Sequence, residues 1–325
     1  MTATSDLPPT VTEETGEAPA SGVRAAIGRH PVAAFGLLAY GLSWAWWLPI
    51  ALRHQVITRG SAWPTHFPGL IGPLIAAVAV TAITAGRTGV GDLVSRMFRW
   101  RIGWKGWALA LGTPLAMLAI SLPFEKHLSW SSFGTFNGLP RGTALVWLAL
   151  VFVNGLGEET GWRGFVLPHL RERHGLVDSS LRLAVLWGFW HIPLFAIVET
   201  FRGFTVGSLI GFAIGLASGS LVLAWLYERT GASILAVAVW HGTYNLAAAA
   251  GNDAPVRSAI VTTVVIAWAV FIAIHAHRHG DPPSGGTRPV SSRRNRGRYV
   301  EATHNPPGPS PLTRGNVASI TALPR

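Results

Sequence analysis

Thr143-Ala-Leu-Val-Trp-Leu-Ala-Leu-Val-Phe-Val-Asn-Gly-Leu-Gly157 carries no charge, and it runs directly into Glu158-Glu159-Thr-Gly-Trp-Arg163. A run this apolar reads as a helix crossing a hydrocarbon core, yet it closes on two adjacent carboxylates. Ionisable groups inside apolar segments are costly and mark functional sites by default. Glu159 and Arg163 are spaced i, i+4 and can pair on one helix face. Glu158 points about 100° away, free to face a cavity. A buried carboxylate with no cation beside it suits a general base near neutral pH. The plainer alternative is that both glutamates cap the membrane boundary and meet water.

Similar runs recur along the chain, at roughly 32–52, 67–85, 107–123, 143–163, 181–198, 206–227, 232–250 and 258–274. Of the 325 residues, 49% are hydrophobic and 13% charged, with a mean hydropathy of +0.36; soluble chains carry roughly a quarter charged. The expected fold is all-α, a polytopic transmembrane helix bundle of about eight spans over residues 31–275. A disordered N-terminal arm (1–30) and a disordered basic tail (276–325), rich in Pro, Gly, Ser and Arg, are expected to flank it. Asp6, Glu13, Glu14 and Glu17 give the first residues an acidic character unlike a signal peptide. With zero cysteines, thiol nucleophiles, disulfides and thiolate metal sites are excluded.

The net charge of +11 suggests nucleic-acid binding only until the charges are placed. With eight spans both termini share a side. All of the 26 Lys and Arg residues except Arg53, Arg59, Lys126, Arg141, Arg202 and Arg257 fall on that side. The positive-inside rule then puts both termini in the cytoplasm of a multi-pass cell-membrane protein. The charge reports orientation, and no nucleic-acid partner is expected.

Of 12 histidines, only His191 and His241 sit well inside apolar runs. His191 ends Leu186-Trp-Gly-Phe-Trp-His191, with Pro193 expected to bend the helix just past it. His241 has Asn245 one turn later, on the same face. Both histidines lie about 15 Å from the cytoplasmic side, and Glu158 about 8 Å from the inner end of its span, at about 1.5 Å per residue. All three can therefore face one chamber open to the cytoplasm.

Glu158-Glu159-Thr-Gly-Trp-Arg163 fits E-E-x-x-x-R, Trp187-Gly-Phe-Trp-His191 fits F-x-x-x-H with Trp for Phe, and His241-Gly-Thr-Tyr-Asn245 fits H-x-x-x-[ND]. Over about residues 140–250 the chain thus resembles the CPBP family of intramembrane proteases, the CAAX-processing and bacteriocin-processing enzymes also called Abi. The resemblance implies an endopeptidase acting on a peptide or membrane-protein substrate in the lipid bilayer. Its catalytic residues would be Glu158, Glu159, Arg163, His191, His241 and Asn245, with Glu158 activating water. On a metalloprotease reading, Glu158, His191 and His241 would hold Zn²⁺ or another divalent metal. On a metal-free reading, a histidine and the Asn245 amide donate to the oxyanion. Glu159 and Arg163 would orient the site, and Trp187 would be a packing or lining residue outside the chemistry.

Two other classes compete: a non-catalytic interaction or bacteriocin self-immunity protein on the same scaffold, and a transporter using buried acids as proton relays. The lack of an evident internal repeat argues against the transporter. Gly207, Gly211, Gly215 and Gly219 form a smooth helical face, for internal packing or for docking a substrate helix. Trp162, Trp190 and Trp240 each precede a motif residue, as chamber lining or as ordinary interfacial tryptophans.

Overall fold

Pro31 opens the first long helix, at the position where its missing N–H and fixed φ cost nothing. The computed structural model describes residues 22–124, 133–249 and 255–284. Its main elements are α1 (Gly22–Arg29), α2 (Pro31–Leu52), α3 (Gly72–Met97), α4 (Gly103–Phe124), α5 (residues 143–171), α6 (Leu176–Trp190), α7 (Val206–Arg229), α8 (Ile234–Ala249) and α9 (Pro255–His279). No β-strand occurs among the described residues; two isolated bridges, Ile57 with Val198 and Arg59 with Asn137, pin loops together at one end of the bundle. The all-helical bundle is as expected. Residues 22–29, assigned to the arm, are helical, and α9 extends four residues past the expected limit of 275. The rest of the arm (1–21) and of the tail (285–325) lies outside the described residues.

Among the described residues, five helical segments are long and apolar enough to cross a membrane: Pro31–Leu52, Phe67–Met97, Gly103–Phe124, Val206–Arg229 and Val256–His279. They present large exposed apolar side chains such as Leu37, Leu52, Ile75, Ile210 and Phe271, as lipid-facing helices do. The other three expected spans become α5, α6 and α8. With 15 and 16 residues, α6 and α8 reach only about 22–24 Å at 1.5 Å per residue, short of a ~30 Å core. The central part of α5 is buried on all sides, from Gly155 to Val166. Helix α5, residues 143–171, is long enough to cross such a core, so of the three elements that carry the motifs only α6 and α8 are short.

The packing order explains how those elements come together. Helix α2 packs on α3, α3 on α5, and α5 on α8, while α6 packs on α7 and α7 on α9. The contact between α5 and α8 is a backbone approach: a Cβ on Gly155 would lie 2.5 Å from the Ala238 oxygen, and one on Gly242 would lie 2.8 Å from the Leu150 carbonyl. Glycine at both places removes the side chains that would separate the helices. Two wider π-helical stretches, Leu150–Gly155 and Trp162–Val166, bracket the glutamates within α5; such bulges are frequent at functional sites.

Trp162 and Trp190 are fully buried. The Trp190 indole donates to Ser43 Oγ at 2.8 Å, and Ser43 in turn donates to the Gly69 carbonyl at 2.7 Å. These two tryptophans are core residues whose N–H or ring contacts fix α6 and α5 against α2. Trp240 donates to Thr113 Oγ1 at 2.9 Å and also reaches the cavity wall described next.

Candidate active site

Helix α6 does not bend at Pro193; it stops. Trp190 is its last residue, His191 caps it, and Pro193 precedes a new turn, Leu194–Ile197. Ending the helix there frees the segment after His191 to turn aside, so the imidazole borders a cavity of about 880 Å³ instead of a continuing helix. Glu158 from α5, with His241 and Asn245 from α8, borders the same cavity. Three motifs separated by up to about eighty residues thus meet on one surface.

Glu158 is 2% exposed and both its oxygens are held. Asn154, one turn earlier on α5, donates its amide to Oε1. The Trp187 indole Nε1–H donates to Oε2 at 2.7 Å. Asn154 is itself held by Asn245, whose Nδ2 donates to Asn154 Oδ1 at 2.6 Å. Each carboxylate oxygen keeps a second lone pair for water.

Glu159 faces the other way, as the spacing requires. Its Oε1 accepts from Arg163 NH1 at 3.0 Å and meets His241 Nδ1 at 2.7 Å. Arg163 and Glu159 have no solvent exposure, and the guanidinium lies 4.5 Å over the Trp187 ring. An ionised carboxylate and a carbonyl only accept, which assigns the ring protons: His241 Nδ1–H donates to Glu159, and His191 Nδ1–H donates to the Trp187 carbonyl at 2.7 Å. In both rings Nε2 is the nitrogen left for a substrate.

Trp187, expected as a packing or lining residue, lines the cavity, and its N–H also holds the carboxylate expected to act as base. Asn245 reaches Glu158 through Asn154, a residue the sequence reading passed over although it lies four residues before Glu158 on the same helix face. The set expected to hold a metal, Glu158, His191 and His241, borders one cavity. Among the described residues no three His, Asp or Glu side chains are grouped as metal ligands. No step below runs through a metal.

The cavity walls are largely apolar, with Leu70, Leu194 and Leu216 among them, and phenylalanines 201, 204 and 212 pack edge to face beside His191. Gly211, Gly215 and Gly219 border it too, and a Cβ on Gly211 or Gly219 would meet nothing within 4 Å. The glycine face is open to the cavity at those positions and is not buried against another helix. His66, just before the span expected from residue 67, also borders the cavity, buried with Nδ1 unpartnered.

The cavity extends to Arg59, Asn137 and Thr200, in the loops and the short helical turn Glu199–Arg202 at the end of the bundle opposite α1 and His279. Helix α5 continues past Arg163 to Arg171, so Glu158 lies about 20 Å from the α1 end, where a span ending at Arg163 gave about 8 Å.

Residues 140–247 match a family model described as type II CAAX prenyl endopeptidase Rce1-like. The chain is also similar to CAAX prenyl protease 2 of Methanococcus maripaludis, at 24% identity over 189 residues, covering 55% of this chain and 69% of the relative. The family match spans all three motifs.

Proposed function

We propose that this chain, whose motif region bears out the resemblance to the CPBP proteases, is an intramembrane endopeptidase in which Glu158 activates the attacking water. The observation that carries this reading is the meeting of Glu158, His191 and His241 at one apolar cavity, with Glu158 held by two N–H donors and each imidazole presenting Nε2. In the proposed reaction the scissile carbonyl lies between Glu158 and His241. Glu158 takes a proton from water as the oxygen attacks, and later delivers it to the leaving amine. The second N–H of the Asn245 amide is the donor for the oxyanion, and the free Nε2 of the imidazoles accepts from the attacking water, in a site that excludes most water. Glu159 and Arg163 fix His241 through its Nδ1.

The relative's name specifies CAAX prenyl substrates, so a prenylated peptide is the first substrate to offer. The full chain in lipid nanodiscs, given a farnesylated peptide with a C-terminal CAAX sequence, is expected to release the terminal tripeptide, read by mass spectrometry. Glu158→Gln is expected to lower the rate by about 10²–10⁴-fold, the range for a lost general base, and His241→Ala to lower it as well. Full activity of Glu158→Gln would sink the reading and favour a non-catalytic role for the scaffold.

A further inference from the structure

At the position where the motif F-x-x-x-H has phenylalanine, this chain has Trp187, and phenylalanine has no N–H to give. We propose that Trp187 is a positioning residue that aligns Glu158 and His191 for the same step, the indole holding the base and the backbone carbonyl setting the imidazole. The proposal rests on the endopeptidase reading above.

Four observations support it. The indole Nε1–H donates to Glu158 Oε2 at 2.7 Å, a bond that is among the stronger kind when the carboxylate is ionised, as the base in the proposed reaction must be. The ring cannot easily swing away: Arg163 lies over its face at 4.5 Å and the His241 ring meets it edge to face at 5.5 Å. Trp187 is 5% exposed, so little water competes for the bond. The carbonyl of the same residue accepts from His191 Nδ1 at 2.7 Å, which fixes the tautomer with Nε2 free. One residue at the end of α6 thus sets the direction of a carboxylate and the proton placement of an imidazole. The orientation of Glu158 is shared between two donors from different helices, Trp187 from α6 and Asn154 from α5.

Trp187→Phe removes the indole N–H while keeping an aromatic ring and the carbonyl. In the farnesylated-peptide assay it is expected to lower kcat about tenfold, in line with loss of one hydrogen bond to a charged group, with KM within about twofold. A second readout needs no turnover. In the full chain with ¹⁵N-labelled tryptophan, the Trp187 indole resonance is identified by its loss in Trp187→Phe, or in Trp187→Tyr should the first variant not insert. That resonance is expected to move upfield in Glu158→Ala. If it stays in place, the bond does not form and the proposal falls, whether or not any peptide is cleaved. A kcat unchanged in Trp187→Phe overturns the positioning role even with the bond present. Absence of wild-type cleavage counts against the endopeptidase reading alone, and the indole shift still decides the contact.

Discussion

One oxygen of Glu159 serves both Arg163 on its own helix and His241 on α8, in a place where neither the acid nor the guanidinium touches solvent. Removing the acid leaves a buried cation without its ion-pair partner, which costs about 3–5 kcal/mol where such pairs have been broken. Glu159→Ala is therefore expected to lower the thermal unfolding midpoint sharply in detergent. Glu159→Ala combined with Arg163→Ala is expected to recover part of that loss, since no charge is then stranded. Equal midpoints for the single and double variants would show that the pair is not what holds this region. The identities of Glu158, Glu159, Arg163, His191 and His241 were legible in the sequence, because a charge in an apolar run is conspicuous. Asn154 and Trp187 were not, because nothing about an amide or an indole in such a run says which way its N–H points. That depends on how closely α6 approaches α5.

At the scale of elements, the approach of α5 to α8 decides whether His241 stands across from Glu158. Gly155→Ala would put a methyl 2.5 Å from the Ala238 oxygen, a backbone atom that cannot rotate away, so α8 must shift. Overpacking of this kind costs about 1–3 kcal/mol. His241 lies three residues beyond Ala238 and moves with the helix. The expected result is a loss of kcat well beyond the modest drop in melting temperature, measured on the same preparation; wild-type kcat would show that α8 yields without moving the imidazole. The end of α6 was half legible, since Pro193 marked a break but not its form. The start of α6 was not legible. Its first free N–H groups, Leu176 and Val177, are capped by the Asp281 carboxylate at 2.6 and 3.0 Å, from more than a hundred residues away. A local capping signal is what sequence patterns report, and this cap arrives only through the tertiary fold.

For the whole molecule, hydropathy revealed a helical membrane bundle, and five of its described helices are long and apolar enough to cross a membrane. A buried helix and a lipid-facing one have the same apolar composition, and packing is what sets α5, α6 and α8 apart from those five. Orientation follows from the placement of charge. Among the loops at the cavity end are Arg53, Arg59, Arg141 and Arg202, while the end with α1 has the denser set that includes Arg24, Arg29, Arg96, Arg99, Arg101 and Lys105. The positive-inside rule predicts a cytoplasmic α1 end, which would set Arg59, Asn137 and Thr200 toward the opposite face. The chain has no cysteine, so single cysteines report cleanly. Trp63 and Val23 are both exposed, at 64% and 71%, at opposite ends of the bundle. In intact cells, Trp63→Cys is expected to react with a membrane-impermeant maleimide and Val23→Cys only after lysis, each variant first being shown to insert. The reverse pattern would put the cavity toward the cytoplasm and show that the basic loops do not set the topology here. Either pattern fixes the face from which a substrate reaches Glu158, because Arg59, Asn137 and Thr200 border the same cavity as that glutamate.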